Sequence, residues 1–296
     1  MPETESIQTR DRAAPGTMPP IFGDILCAID GKEGGFSAVE QAVELAGTQG
    51  RVTSLLVTSY SSGGRHRAPA IGPMQAAEIL EHAGRIAREA GVPYVEEVDP
   101  GSPPAQVILD WSARYELLAL EAPASSWPSR LLSLGVGDRA IGGFSNALLV
   151  ARPLAADRRL GDRIVVASDG QESSDGLVDL AGRLARVHGS DVTLVHALGR
   201  DPVKRGRLGE QKDVLERQQQ ALARACSPGT SELVINQGRA AGVIVTAAAA
   251  ADASLVVMGS RRLDGVRALG RVSRRVAHQS PCSVLLVPPE ALTGGA

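Results

Sequence analysis

In the second half of the chain, polar and glycine residues follow three apolar runs, where they could hold a phosphorylated ligand. The residues that end these runs are Ala167-Ser168-Asp169-Gly170, His196-Ala197 and Met258-Gly259-Ser260. If the runs are neighbouring parallel strands, their carboxyl ends meet at one edge of a sheet, which is where such sheets bind ligands. The sequence therefore predicts a ligand site that includes Ala167, Ser168, Asp169, Ala197, Met258 and Gly259.

A predicted helix start supplies the other side of this site. Its residues are Gly270, Arg271, Val272 and Ser273. Backbone amides at a helix start can hold phosphate, and glycine there allows a ligand to approach closely. We therefore expect these four residues to form the anion-binding end of the pocket.

Arginines are concentrated around this segment of the chain. They are Arg261, Arg262, Arg267, Arg271, Arg274 and Arg275, with Asp264 among them. Guanidinium groups bind phosphate through two parallel hydrogen bonds. The cluster is either an anion grip, with Arg262 in the pocket, or a solvated helix face. We expect Arg274 and Arg275 to point outward in either case.

Two single residues also have alternative interpretations. Asp169 could bind a ribose or a metal-bound nucleotide, or it could cap the helix that begins near Ser174 and hold the turn. His196 could line the pocket, or it could be a packed, hydrogen-bonded core histidine. The five histidines do not fall at metal-ligand spacing, and no nucleophile elbow or phosphate-binding P-loop motif is present. The sequence therefore predicts no metal site and no catalytic residue.

The elements that must position these residues are predicted by alternation of strands and helices. In the second half, strands are expected near 163–168, 191–197, 232–236, 254–259 and 283–287, and helices near 174–188, 207–225, 239–251 and 269–279. In the first half, strands are expected near 25–30, 52–58, 94–98, 117–121 and 146–151. Such alternation predicts an α/β fold with parallel sheets and right-handed crossovers. Apolar residues make up 43% and aromatic residues 3%, a mixture that suits buried parallel strands.

The two halves are an internal repeat. Residues 25–50 align without gaps on residues 164–189, and ten of these 26 positions are identical. The length of 296 residues also fits two domains. We predict a flexible tail at 1–22, a first domain at 23–153 and a second at 162–289. Because the join between them is short, the copies should pack closely as a pseudo-symmetric pair.

Charge and cysteine content exclude several classes of protein. The net charge is −2, so no overall field favours nucleic acid or a membrane surface. No apolar run reaches the length of a membrane span, and the acidic start lacks the features of a secretory signal. The three cysteines are far apart, and Cys27 and Cys282 are interpreted as small buried apolar groups. We expect a cytoplasmic protein.

Several of these residues together resemble the universal stress protein family. They are Asp169 after a first strand, the sequence Met-Gly-Ser-Arg at 258–261, Gly270 before the last helix, and the closing segment 276–287. The resemblance covers residues 24 to 289 and implies two five-stranded, doubly wound domains with strand order 3-2-1-4-5. Members that bind ATP have a G-x2-G-x9-G-(S/T) loop, with the aspartate and strand-end backbone near adenine and ribose.

The loop of this chain departs from that pattern. Gly259 and Gly270 match its outer glycines, but Arg262 replaces the middle one, the segment is two residues shorter, and Arg271 replaces the hydroxyl residue. In the first copy Asp30 is kept, while Glu121 and Ala124 replace the first two glycines, and Glu121 would repel phosphate. The resemblance thus implies ATP or another adenine nucleotide in the C-terminal copy only, with the first copy as its structural partner.

The function predicted from this resemblance is a stress-response or regulatory protein that acts on an unidentified regulatory partner. A nucleotide-independent interaction scaffold is the main alternative, because the first copy is degenerate and the loop of the second is shortened. The resemblance also implies that the final strand (284–287) lies at a sheet edge, where members of the family pair their copies, and a homodimer is a further possibility. A slow ATPase is a further alternative, although no base or nucleophile is placed by the sequence.

Overall fold

The computed structural model describes residues 20–30, 36–58, 71–101, 104–122, 146–199, 208–260, 262–263 and 266–292. The strands are β1 (Asp24–Ile29), β2 (Arg51–Val57), β3 (Tyr94–Asp99), β4 (Leu117–Glu121), β5 (Ala147–Ala151), β6 (Arg163–Ser168), β7 (Asp191–Leu198), β8 (Ser231–Gln237), β9 (Leu255–Gly259), β10 (Arg262–Leu263), β11 (Val266–Leu269) and β12 (Ser283–Val287). The helices are α1 (Ser37–Ala46), α2 (Pro73–Glu89), α3 (Pro104–Ser112), α4 (Asp175–His188), α5 (Leu208–Ala225), α6 (Ala240–Ala250), α7 (Arg271–Gln279) and α8 (Pro289–Leu292).

Ten of these strands form one continuous sheet in the order β3-β2-β1-β4-β5-β12-β9-β6-β7-β8. Within each half the strands are parallel and their order is 3-2-1-4-5, so the predicted fold class and strand order are confirmed. The predicted strands and helices all form, with boundaries within about two residues of those expected.

The two halves meet where β5 and β12 pair antiparallel, with Leu149 opposite Leu285. This pairing relates the copies by an approximate two-fold axis and satisfies both edges that would otherwise be open. The central strands are almost wholly buried because helices cover both faces of the sheet. One helical layer contains α1, α2, α4 and α5, and the other contains α3, α6 and α7.

Two features differ from the sequence predictions. Ile21 and Phe22, which were assigned to the tail, are buried in the core, and the backbone N–H of Ile21 donates to the carbonyl of Leu45. Their burial depends on a distant helix, so local composition did not indicate it. The short hairpin of β10 and β11, between Gly259 and Gly270, was also not predicted.

Candidate functional site

A cleft of about 1080 Å³ opens at the carboxyl ends of β6, β7 and β9 in the second copy. It lies where the chain leaves β6 and β9 in opposite directions across the sheet, which is the usual ligand position in such folds. The predicted site residues that line it are Ala167, Ser168, Asp169, Ala197, Met258, Gly259, Gly270, Arg271, Val272 and Ser273. The structure therefore brings together ten of the eleven candidates.

Arg262 is the eleventh candidate, and its side chain lies outside the part of the structure that is described. Its backbone lies in β10, opposite Leu269 of β11. The segment that replaces the family's glycine loop is thus a two-stranded hairpin beside the cleft. Arg261 and Asp264 lie outside the described residues, whereas Arg274 and Arg275 are exposed, as expected.

The turn after β6 is held by the side chain of Asp169. Its Oδ1 accepts hydrogen bonds from the backbone N–H of Gln171 at 3.0 Å and from the hydroxyl of Ser174 at 2.8 Å. Gly170 adopts a φ of +72°, a conformation that glycine tolerates best. The turn-holding role considered for Asp169 is therefore present in the structure, at the wall of the cleft.

Gln218 of α5 fastens this turn to the neighbouring helix. It is 2% exposed, and its Oε1 accepts from the Ser168 hydroxyl at 2.7 Å. Its Nε2 donates to the Gln171 carbonyl at 3.1 Å and to Asp175 Oδ1 at 2.6 Å. Sequence reasoning missed Gln218. The available signal was a glutamine on the same helical face as Leu215 and Leu222, both of which are buried.

His196 lies on the floor of the cleft at the end of β7. Its ring is buried, and Nδ1 is 3.0 Å from the carbonyl oxygen of Ser168. A carbonyl can only accept, so Nδ1 carries the proton of this hydrogen bond. Both interpretations considered for His196 hold, because the ring is packed and hydrogen-bonded and also lines the cleft.

One wall of the cleft is apolar. It is formed by the side chains of Val195, Ala197, Ile244 and Met258, which belong to the core between the sheet and α6. A surface of this kind favours a flat, weakly polar group such as a base over a charged one.

The opposite side of the cleft is the start of α7. Gly270 is the N-cap residue, and no side chain caps the helix, so no capping group competes for its first amides. The Ser273 hydroxyl donates to the Gly259 carbonyl at 3.2 Å and ties the helix to the end of β9. The exposed Arg271 adds a cation, so this side of the cleft favours an anion.

The corresponding place in the first copy is occupied by a carboxyl group. Glu121 ends β4 as Gly259 ends β9, and burial raises its pKa to about 7, with the nearby Asp30 acting in the same direction. A hydrogen bond from Ser37, at the start of α1, partly opposes this rise in the pKa. Ala124 lies outside the described residues.

In the described part of the chain, no group of three or more His, Cys, Asp or Glu side chains is arranged to hold a metal ion. Cys27, Cys226 and Cys282 are buried, with Cys27 and Cys282 in the core as predicted, and burial raises the pKa of each thiol. None of the described helices is both long and apolar enough to cross a membrane.

Comparison with known proteins places this architecture in one family. The sequence profile of the Universal stress protein family matches twice, at residues 22–152 and 161–288. A universal stress protein from Thermus aquaticus, encoded in the 3′ region of a QAH/OAS sulfhydrylase, is 36% identical over 136 residues, which cover 42% of this chain and 96% of that protein.

Solved structures show the same two-copy fold. A universal stress protein from Archaeoglobus fulgidus has a TM-score of 0.62 at 18% identity, covering 92% of this chain and 98% of its own. A protein of unknown function from Pseudomonas aeruginosa has a TM-score of 0.67 at 15% identity, covering 92% of this chain and 94% of its own. At these identities the likeness concerns the fold alone.

Proposed function

This chain belongs to the universal stress protein family, and we propose that it is a regulatory binding protein whose second copy holds an adenine nucleotide, with ATP as the ligand to test first. The observation that carries the proposal is the cleft of about 1080 Å³ at the carboxyl ends of β6, β7 and β9. Its volume lies just above the usual range for small-molecule sites, which is roughly 300–1,000 Å³.

The polarity of the cleft supports one orientation of the nucleotide. The apolar wall of Val195, Ile244 and Met258 suits the base, and the start of α7 with Arg271 suits the phosphates. The sugar would then lie between them, near Asp169 and His196. Each part of a nucleotide would thus meet a surface of matching chemistry.

The hairpin between Gly259 and Gly270 makes the phosphate grip different from a glycine loop. A glycine loop wraps phosphates with successive backbone amides. Here β10 and β11 use backbone groups to pair with each other, so the first amides of α7 and the guanidinium of Arg271 would supply the contacts. We expect the phosphates to be held mainly at the start of α7, and the affinity for the nucleotide to fall with added salt.

The first copy is proposed to bind no nucleotide. Glu121 stands where the second copy has Gly259, with Asp30 close enough to raise its pKa. Carboxyl groups at this position oppose the approach of phosphate. The first copy would instead support the second through the shared sheet.

The proposal is one of binding rather than catalysis. Hydrolysis would need a group positioned to activate water. Asp169, a carboxylate that lines the cleft, already accepts two hydrogen bonds through Oδ1, from Gln171 and Ser174. The bound or empty cleft would then be recognised by a regulatory protein, in the cytoplasm, where nucleotides are plentiful and buried cysteines stay reduced.

Titration calorimetry with ATP tests this proposal. Gly259→Glu gives the second copy the glutamate that the first copy has at the equivalent position, Glu121. A Cβ added at Gly259 meets only the Val287 carbonyl oxygen, at 4.0 Å. The variant should therefore fold and lose saturable binding. Gly242→Glu is the matched control, because Gly242 is exposed on α6, an added Cβ meets nothing within 4 Å, and it does not line the cleft.

A nucleotide-independent scaffold is the second candidate, and the hairpin in place of the glycine loop favours it. The same titration separates the two functions. Wild-type protein that shows no saturable heat with millimolar ATP would support the scaffold and contradict the nucleotide proposal. Equal binding by the Gly259→Glu and Gly242→Glu variants would show that any ATP binds elsewhere.

A further inference from the structure

His196 presents one polar atom to the cleft that the fold itself does not use. The residue is 5% exposed and lines the cleft, and its Nδ1 is engaged with the Ser168 carbonyl. Among the described residues no other group hydrogen-bonds to this ring, and Nε2 is accessible to solvent. Nε2 therefore opens on the cleft as the unused polar atom of a buried side chain.

The hydrogen bond to Ser168 determines what Nε2 can do. With the proton on Nδ1, the neutral ring has a lone pair on Nε2 and acts there as an acceptor. The buried ring is positioned by this hydrogen bond and lies close to the turn after β6, where a Cβ added at Gly170 would be 3.2 Å from its Cε1 atom. The cleft therefore contains a positioned acceptor that requires a donor on its ligand.

The surroundings of Nε2 narrow the class of donor. Asp169 and Glu172 also line the cleft and contribute further acceptor oxygens. Phosphate and carbonyl oxygens are acceptors, so they would face unfavourable contacts here and better ones at the start of α7. A hydroxyl group donates one hydrogen bond and can still accept from water.

We propose that Nε2 of His196 accepts a hydrogen bond from a sugar hydroxyl of the bound nucleotide, which makes His196 a specificity residue for ribonucleotides. This inference rests on the proposed nucleotide function and extends it. His196 lies one residue before Ala197 of the apolar wall, and its strand is the neighbour of β6, which leads into Asp169. Its ring lines the cleft beside the turn that contains Asp169 and Gly170, where the sugar is proposed to lie.

Two substitutions separate the ligand role of His196 from its structural role. The amide of His196→Asn can replace Nδ1 as donor to the Ser168 carbonyl but leaves nothing at the position of Nε2. The longer side chain of His196→Gln places an amide oxygen near Nε2 and gives up the bond to Ser168. A role in ligand recognition and a role in packing therefore predict opposite rankings of the two variants.

The probes are ATP, 2′-deoxy-ATP and 3′-deoxy-ATP, titrated into the full chain by calorimetry. Wild-type protein should bind one of the deoxy analogues about two- to tenfold more weakly than ATP, the range expected for one hydrogen bond. His196→Asn should bind ATP and that analogue alike, whereas His196→Gln should keep the preference for ATP.

The inference is overturned if wild-type protein binds ATP but does not distinguish it from either analogue, or if His196→Asn keeps the full preference. Absence of ATP binding to the wild type would overturn the proposed function itself, so the two failures are distinguishable. An NMR measurement on the wild type avoids any question of variant folding. On addition of ATP, the ¹⁵N resonance of His196 Nε2 should shift more than that of Nδ1, and equal or absent shifts under saturating ATP would contradict the proposal.

Discussion

The guanidinium group of Arg152, at the end of the first copy's last strand, donates a hydrogen bond to the carbonyl of Ala277, 2.7 Å away in the second copy. Ala277 lies in the last turn of α7, the helix whose first residues line the cleft. A cation at the carboxyl end of a helix complements the helix dipole, as an anion does at its amino end. The first copy therefore holds the helix that would contact phosphate.

Removal of the Arg152 side chain should weaken the junction between the copies. Ser283 accepts from the Arg152 backbone N–H and donates to Gln41, so the arginine belongs to a network that spans both copies. Arg152→Ala should lower the free energy of unfolding by about 1–3 kcal/mol, since hydrogen bonds to a charged donor are lost. Calorimetric unfolding measures the change. Arg159→Ala, at an exposed side chain in the same linker, should unfold like the wild type, and equal melting of both variants would contradict the prediction.

Replacement of Gln218 should loosen the turn that forms one wall of the cleft. In Gln218→Leu the buried Ser168 hydroxyl loses its acceptor, and Asp175 loses a donor. An unsatisfied buried polar group costs about 1–3 kcal/mol, so urea unfolding should shift to lower concentration by that amount. Gln220→Leu, at an exposed position of the same helix, is the control and should change stability by less than about 0.5 kcal/mol. Similar losses of stability in both variants would show that the hydrogen bonds of Gln218 do not stabilise the turn.

Gly170 should not accept a side chain. Its φ of +72° disfavours other residues, and a Cβ would crowd the His196 ring at 3.2 Å. Gly170→Ala should therefore destabilise the protein by about 1–2 kcal/mol. Gly242→Ala, in the exposed face of α6, should instead stabilise it by about 0.5–1 kcal/mol, because alanine restricts the unfolded chain. Thermal unfolding followed by circular dichroism should show melting temperatures that shift in opposite directions for the two variants. Shifts in the same direction would contradict the strained conformation assigned to Gly170.

Glu121 should make stability depend on pH near neutrality. Its pKa is raised from 4.5 to about 7 in the folded protein, mainly by burial. Between these two values the unfolded chain loses a proton that the folded chain keeps, so stability falls as the pH rises from about 4.5 to 7 and then levels off. The loss is on the order of 1 kcal/mol after allowance for solvent screening at this half-buried group.

Glu121→Gln should remove this part of the pH dependence, and unfolding in urea between pH 4.5 and 8 measures it. Glu89→Gln is the control, because Glu89 is exposed at the end of α2 and should leave the profile unchanged. If the stability of Glu121→Gln depends on pH as that of the wild type does, the carboxyl group of Glu121 ionises in the folded chain as it does in the unfolded one.

Most of the fold could be predicted because it depends on local patterns. The strands at 117–121, 163–168 and 283–287 form at the residues expected, since each is a short apolar run with polar or glycine neighbours. The hairpin at 262–269 could not be predicted in this way. A segment that is two residues short gives no local sign that its ends will pair with each other.

The candidate site could likewise be predicted where it depends on local patterns, and not where it depends on contacts between distant residues. Strand ends and a helix start can be read from sequence, so ten of its eleven candidates line one cleft. Gln218 was missed because its partners, Ser168 and Gln171, lie about fifty residues away in the sequence. Only the packing of α5 against the turn reveals why a buried glutamine is needed there.

The sequence by itself determined the duplication, the alternation of strands and helices, and the unequal chemistry of Gly259 and Glu121. These follow from residue types and periodicity along the chain. Only the tertiary structure decided that Arg152 of the first copy donates a hydrogen bond to the last turn of α7 in the second. It also decided that His196 turns one ring nitrogen to Ser168 and the other to the cleft. Such relationships join residues that are distant in sequence, and their geometry is fixed only when the sheet and its two helical layers have packed.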